Sequence, residues 1–187
     1  EELSLAAGEN QLEWVVTVPE PSLWWPWALG DQPRYDVRVE AIAEDGRVSH
    51  VLERRVGLRS LVFDDWQLSV NGERLFLKGT NLAPTRALLG EASDDDVRRD
   101  IDLAREAGLD LVRVHAHVTT DALYDRADER GMLVWQDLPL QWGYARSVRK
   151  QAVRQARKAV EILGHHPSVA IWCGHNEPLA LDEPTGA

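Results

Sequence analysis

Four short stretches of the chain end in side chains that can bind or exchange protons. They are Thr80-Asn81, then Arg113 with His115 and His117, then Gln136-Asp137 with Trp142 shortly after, and last His175-Asn176-Glu177. Glu177 and Asp137 can give or take a proton. Asn81 and Asn176 carry amides that both donate and accept hydrogen bonds. Arg113 lies between Val112 and Val114 in an apolar run, so an inward guanidinium there needs a partner. The histidines with Asp137 are also metal-ligand types. Singly each has an ordinary reading: Asn81 suits a loop cap, Asp137 before Leu138-Pro139 suits a turn, and Glu177 suits a surface loop.

What joins them is the pattern of the elements in front of them. Ser93 can cap a helix that opens Asp94-Asp95-Asp96, a first turn matched to the helix dipole. Val97, Ile101, Ala104 and Ala107 recur at helical spacing, and Gly108 closes the run. The apolar LDLVRV follows as a strand. A second helix is expected from about 121 to 130, ending at Gly131, followed by MLVWQ. A third is expected from about 146 to 163, ending at Gly164, followed by SVAIW. FLKGT is expected as a strand before the first helix. Helix, glycine and buried strand in succession mark parallel βαβ units, whose chemistry gathers at the C-terminal strand ends. All four polar groups sit there. His165-His166 fall at the opposite end, before a strand, and read as structural.

The first third alternates instead. Leu12, Trp14, Val16 and Val18 share one face of an expected strand, as do Tyr35, Val37, Val39 and Ala41 of another, and RVSHVLERRV reads as a third. The proline-rich segment 19–33 between the first two must be loop or edge. Asn71-Gly72 between two short alternating runs predicts a two-residue hairpin turn. The expected organisation is a β-sandwich over 1–65 and an α/β domain over 66–187.

Composition narrows the function classes. The net charge of −10 disfavours a nucleic-acid surface. No apolar run approaches the length of a membrane span, and no signal peptide is visible, which favours a cytoplasmic protein although the chain opens on Glu1 rather than Met. Cys173 is the one cysteine and reads as a buried, inert thiol. Eight tryptophans suit sugar platforms, but by number alone they read as core.

In this order and spacing the motifs resemble glycoside hydrolase family 2, which includes β-mannosidases, β-galactosidases and β-glucuronidases. LWWPWALGDQPRYDVRV is similar to the family's sandwich segment. VGLRS and LSVNGERLFLKGTNLAP are similar to its link into the barrel. GLDLVRVHAHV, ADERGMLVWQDLP and HHPSVAIWCGHNEP are similar to its second, third and fourth barrel strands. The resemblance covers almost the whole chain. It implies an immunoglobulin-like sandwich followed by the first four units of a (β/α)8 TIM barrel. It also implies that Glu177 is the general acid/base and that Asn176 contacts the sugar 2-hydroxyl. Arg113 would lie close to the nucleophile, and Asn81, His115, Asp137 and Trp142 would line the sugar site. No cofactor or metal is implied, and the partner is a β-glycoside.

That chemistry accounts for the residue types. A retaining glycosidase uses two carboxyl groups roughly 5–5.5 Å apart. One attacks the anomeric carbon, while the other protonates the departing oxygen and later deprotonates water. An acid of this kind must begin protonated, a state favoured by burial and by a neighbouring carboxylate. WQDLP and IWCGHNEP look most like the β-mannosidase branch. That branch usually has Arg-x-Trp-Gly-Gly and Gly-Asn-Asn-Glu, where this chain reads RVHAHV and GHNE, so glucuronidase and galactosidase remain alternatives. The family's nucleophile, a Glu near the seventh strand, has no counterpart among these residues. A full barrel needs about 250 residues, so the chain is expected to be a fragment, inactive by itself. Two other classes compete: a metal-dependent hydrolase built on His115, His117, His175 and Asp137, and a noncatalytic carbohydrate-binding or scaffold piece.

Overall fold

The computed structural model of the chain describes residues 6–178. Strands β1 (Tyr35–Ile42) and β2 (Val48–Val56) pair antiparallel around a turn at Gly46. Residues 12–18 form no strand, contrary to expectation, and Val15 and Val16 stand 93% and 75% exposed. Alternation yields a strand only where a neighbour supplies backbone partners, and among the described residues none pairs with this segment. Before Gly57 the regular structure described is this two-stranded hairpin.

Strands β3 (Leu61–Asp64), β4 (Gln67–Val70) and β5 (Glu73–Leu75) form a three-stranded meander. Asn71 and Gly72 both take positive φ, +51° and +90°, as the expected hairpin turn requires. Asp65 and Trp66 turn in the same way between β3 and β4 without a glycine to announce it.

Four parallel strands follow, β6 (Gly79–Leu82), β7 (Leu111–Val114), β8 (Leu133–Asp137) and β9 (Val169–Cys173), ordered β6-β7-β8-β9. The first begins at Gly79, opposite Leu111, rather than at Phe76, which is 84% exposed. Helix α1 (Asp94–Glu106) opens with a full capping box. Ser93 Oγ accepts from the Asp96 backbone N–H, and the Asp96 carboxylate accepts from the Ser93 N–H, an arrangement worth about 1 kcal/mol. Helix α2 (Asp121–Arg130) ends at Gly131, whose φ of +65° is left-handed. A Cβ there would also lie 2.5 Å from the Trp27 backbone nitrogen. Helix α3 (Arg149–Leu163) starts later than expected because Arg146–Val148 tighten into a 3-10 turn. No helix among the described residues is long and apolar enough to cross a membrane.

Strand alternation sorts the core into two sides. Val112, Val114 and Val134 face the helices and pack with Val97, Ile101, Leu123 and Tyr124. Leu111, Leu133 and Trp135 face inward, where the meander's Leu68 and Val70 and the buried Trp24 fill the space at the strands' N-terminal ends. The same parity places Arg113 and Asp137 inward, above that floor.

The tryptophan-rich segment fastens the first part of the chain to this floor. Trp24 donates its indole N–H to the Asp128 carbonyl at 2.9 Å, and Trp27 donates to the Leu109 carbonyl at 2.8 Å. Arg59 reaches the carbonyls of Pro167 and Val169. Of the eight tryptophans only Trp24 is fully buried, while Trp66 is 97% exposed, so the core reading from their number fails for most of them.

Candidate active site at the strand ends

Three of the expected residues meet in one hydrogen-bonded chain. Arg113 on β7 grips Asp137 at the end of β8 with Nε at 2.9 Å from Oδ1 and Nη2 at 2.8 Å from Oδ2. The same Nη2 donates to Asn176 Oδ1 at 2.7 Å. Asp137 is wholly buried and also accepts from the Ala116 backbone N–H at 3.1 Å. Asp137 raises the Arg113 pKa further, first through these hydrogen bonds, so the guanidinium is a fixed charge. It also lies over the Trp135 ring, 5.0 Å from its centre.

The loop after β8 is stitched to the loop after β9. The Asn176 N–H donates to the Leu140 carbonyl, and the Trp142 N–H donates to the Asn176 carbonyl. The Trp142 indole N–H reaches Glu177 Oε2 at 3.2 Å. Trp142 and Glu177 both hold left-handed backbones, φ +61° and +46°. Strained non-glycine residues of this kind collect at functional sites. Glu177 itself is exposed, while Asn176 beside it is 4% exposed.

Asn81 lies within β6, one residue before its end and in register with Arg113, and His115 follows β7. No side-chain hydrogen bond among the described residues ties either of them to the Arg113 chain. His117 is buried and its Nδ1 lies 3.0 Å from the His115 carbonyl. Burial pushes this imidazole below its ordinary value, so it is neutral and Nδ1–H is the donor. Gln136 points to the helix side, where it accepts from the Tyr124 hydroxyl and donates to the His117 and Asp137 carbonyls. The Tyr124 phenol is driven upward in pKa by burial.

The metal-hydrolase reading of the histidines finds no support in this geometry, since Asp137 is already engaged by Arg113. Among the described residues the one group of three potential ligands within reach of a common ion is Asp125, Asp128 and His166, at the opposite end of the strands. There His166 Nδ1 lies 2.7 Å from Asp128 Oδ2, and Asp128 Oδ1 accepts from the Ser168 N–H. Cys173 is only partly buried and lies 4.0 Å from Arg113 Nη2, nearer the site than its apolar neighbours suggested. Tyr144, packed 6.0 Å from the His175 ring, had no signal in the sequence.

Residues 1–59 match Glycosyl hydrolases family 2, and residues 62–185 match the same family's TIM barrel domain. Beta-mannosidase B of Aspergillus clavatus is 31% identical over 186 residues, covering 90% of this chain and 21% of that protein. Beta-mannosidase A of Aspergillus terreus is 29% identical, covering 88% of this chain and 20% of that protein. The chain thus spans about a fifth of the length of the curated relatives it matches. Among solved structures, the beta-D-mannosidase from Dictyoglomus thermophilum superposes with a TM-score of 0.77 at 27% identity, over 84% of this chain and 21% of that one. The Parabacteroides merdae beta-glucuronidase gives 0.72 at 26% identity, over 83% and 20%.

Proposed function

The chain belongs to glycosyl hydrolases family 2, in its mannosidase-like branch, and on that premise we propose that it carries the proton-transfer part of a retaining exo-β-glycosidase acting on terminal β-mannosides. Glu177 is the general acid/base, Asn176 meets the sugar beside it, and Trp142, Asn81 and His115 line the approach. The proposed organisation is an immunoglobulin-like sandwich over 1–65 and the first four β/α units of the barrel over 66–187.

The observation that carries this reading is the contrast between two carboxylates at neighbouring strand ends. Glu177 is exposed, not buried as expected of the acid, and contacts one indole N–H, so it is open to a departing oxygen and then to water. Asp137 is wholly buried and saturated by Arg113 and Ala116, so it cannot attack an anomeric carbon. Asp137 is therefore not the attacking carboxylate, which we assign to none of the described residues, and the isolated chain is expected to bind sugar without turning it over.

Nitrophenyl β-mannoside, β-glucuronide and β-galactoside assays on purified 1–187 test this. Turnover lost in Glu177→Gln would overturn the expected inactivity and confirm the acid/base. A β-glucuronidase activity is the second reading, favoured by the similarity to the P. merdae enzyme. Titrating mannose and glucuronic acid against tryptophan fluorescence separates the two. No response to either sugar counts against both.

A further inference from the structure

An asparagine amide can present either its oxygen or its nitrogen to a given neighbour, and only the surrounding hydrogen bonds decide which. For Asn176 the decision is made by Arg113. A guanidinium has donors only, so the group 2.7 Å from Nη2 must be Oδ1. Nδ2 then points elsewhere. It is buried and has no partner among the described residues. An unmet buried donor costs about 1–3 kcal/mol, which a fold does not retain at random beside an exposed carboxyl on a strained loop.

Arg113 could not hold this orientation unaided, because a long side chain carries about 2 kcal/mol of rotamer entropy. Asp137 supplies the hold. Its carboxylate takes Nε and Nη2 in a two-pronged grip, and it is fixed in turn by the N–H of Ala116, whose φ is +57°. Asp137 is 0% exposed, so it has no face left for a ligand.

We propose that Asp137 is a positioning residue: acting through Arg113, it sets the Asn176 amide with Nδ2 free, so that the site meets the sugar hydroxyl as a donor and never as an acceptor. The sugar half of this statement rests on the glycosidase reading above; the relay does not. The hydroxyl oxygen that Asn176 reaches must then accept, and its own proton must go to another group. A sugar lacking that hydroxyl would leave Nδ2 unmet.

The test has two arms on the full chain. In the wild type, the Asn176 side-chain amide should give two resolved, slowly exchanging proton signals by NMR, because Nδ2 is buried. In Asp137→Asn the pair should shift toward the free-amide position and exchange with water. An Asn176 pair that exchanges freely in the wild type, or that is unmoved in the variant, overturns the relay. In the second arm, methyl β-mannoside and its 2-deoxy counterpart are titrated by tryptophan fluorescence. The wild type should prefer the hydroxylated sugar about tenfold, equivalent to about 1.4 kcal/mol. Asp137→Asn and Asn176→Ala should each bring the ratio near one, and the double variant should add nothing. Equal weakening of both sugars by Asp137→Asn would show a merely structural role and sink the proposal. Should the wild type bind neither sugar, the glycosidase reading fails on this chain, and the amide signals alone then decide the relay.

Discussion

The two ends of the parallel sheet each hold a buried aspartate in a hydrogen-bonded network, yet they are finished differently. At the N-terminal floor, Asp128 is engaged by His166 and by the Ser168 N–H, Trp24 and Arg59 bond to backbone carbonyls, and the Trp24 ring fills the space beneath Leu111 and Leu133. At the mouth, Asp137 is just as buried, but its chain of partners ends in an amide with a free Nδ2, next to an exposed Glu177. Among the described residues the floor still leaves Ser168 Oγ and Asp110 Oδ1 without partners, so completeness is a matter of degree. Even so, the floor's bonds run mostly to main chain and hold elements together, whereas the mouth's run side chain to side chain and end in a buried amide nitrogen that no described residue meets. That division is what a barrel with its chemistry at the C-terminal strand ends needs.

Variants can break this contrast, beginning with the most damaging. Trp24→Ala should cost about 3–5 kcal/mol, since it empties the floor cluster and orphans the Asp128 carbonyl. Urea unfolding measures this, and a loss below about 1 kcal/mol would show that the clamp is not structural. Asp128→Ala should cost about 3 kcal/mol by stripping His166 and the Ser168 N–H together, while leaving the two-sugar binding ratio of the mouth unchanged.

A smaller effect comes through pH and touches both ends. Burial holds the imidazoles of His117, at the mouth, and His165, at the floor, below their ordinary 6.5. The unfolded chain takes up protons that these groups refuse in the native state. Their contribution to stability is therefore complete above about pH 6.5 and is lost as pH falls through the lower native values. The melting temperature should drop on acidification below that point, and His117→Asn should flatten part of the drop. The smallest change expected in stability is Glu177→Gln, within about 0.5 kcal/mol, because the side chain is exposed. If it destabilised the protein as Asp128→Ala does, the division between floor and mouth would be wrong.

Much of the barrel portion was legible from residue types. Ser93 with the three aspartates announced α1 because capping is chemically local, and Gly131 announced the end of α2 because it alone tolerates that backbone at low cost. Arg113 between two valines announced a buried partner, though not which one. The segment 12–18 misled because its alternation states a preference that only a paired neighbour can realise. Ala116, Trp142 and Glu177 in left-handed conformations had no signal, since none is a residue type that favours them.

By itself the sequence determined the order of helices and parallel strands, the hairpin at Asn71-Gly72, and which polar residues end each strand. These follow from side-chain period, capping and turn chemistry, all set within a few neighbouring residues. Only the tertiary structure decided that Asp137 is spent on Arg113, that Arg113 turns the Asn176 amide, and that Glu177 remains exposed. Those facts depend on β7, β8 and β9 lying side by side in one register, which brings together residues 24 and 63 positions apart. No local pattern encodes the direction of a hydrogen bond across such a separation.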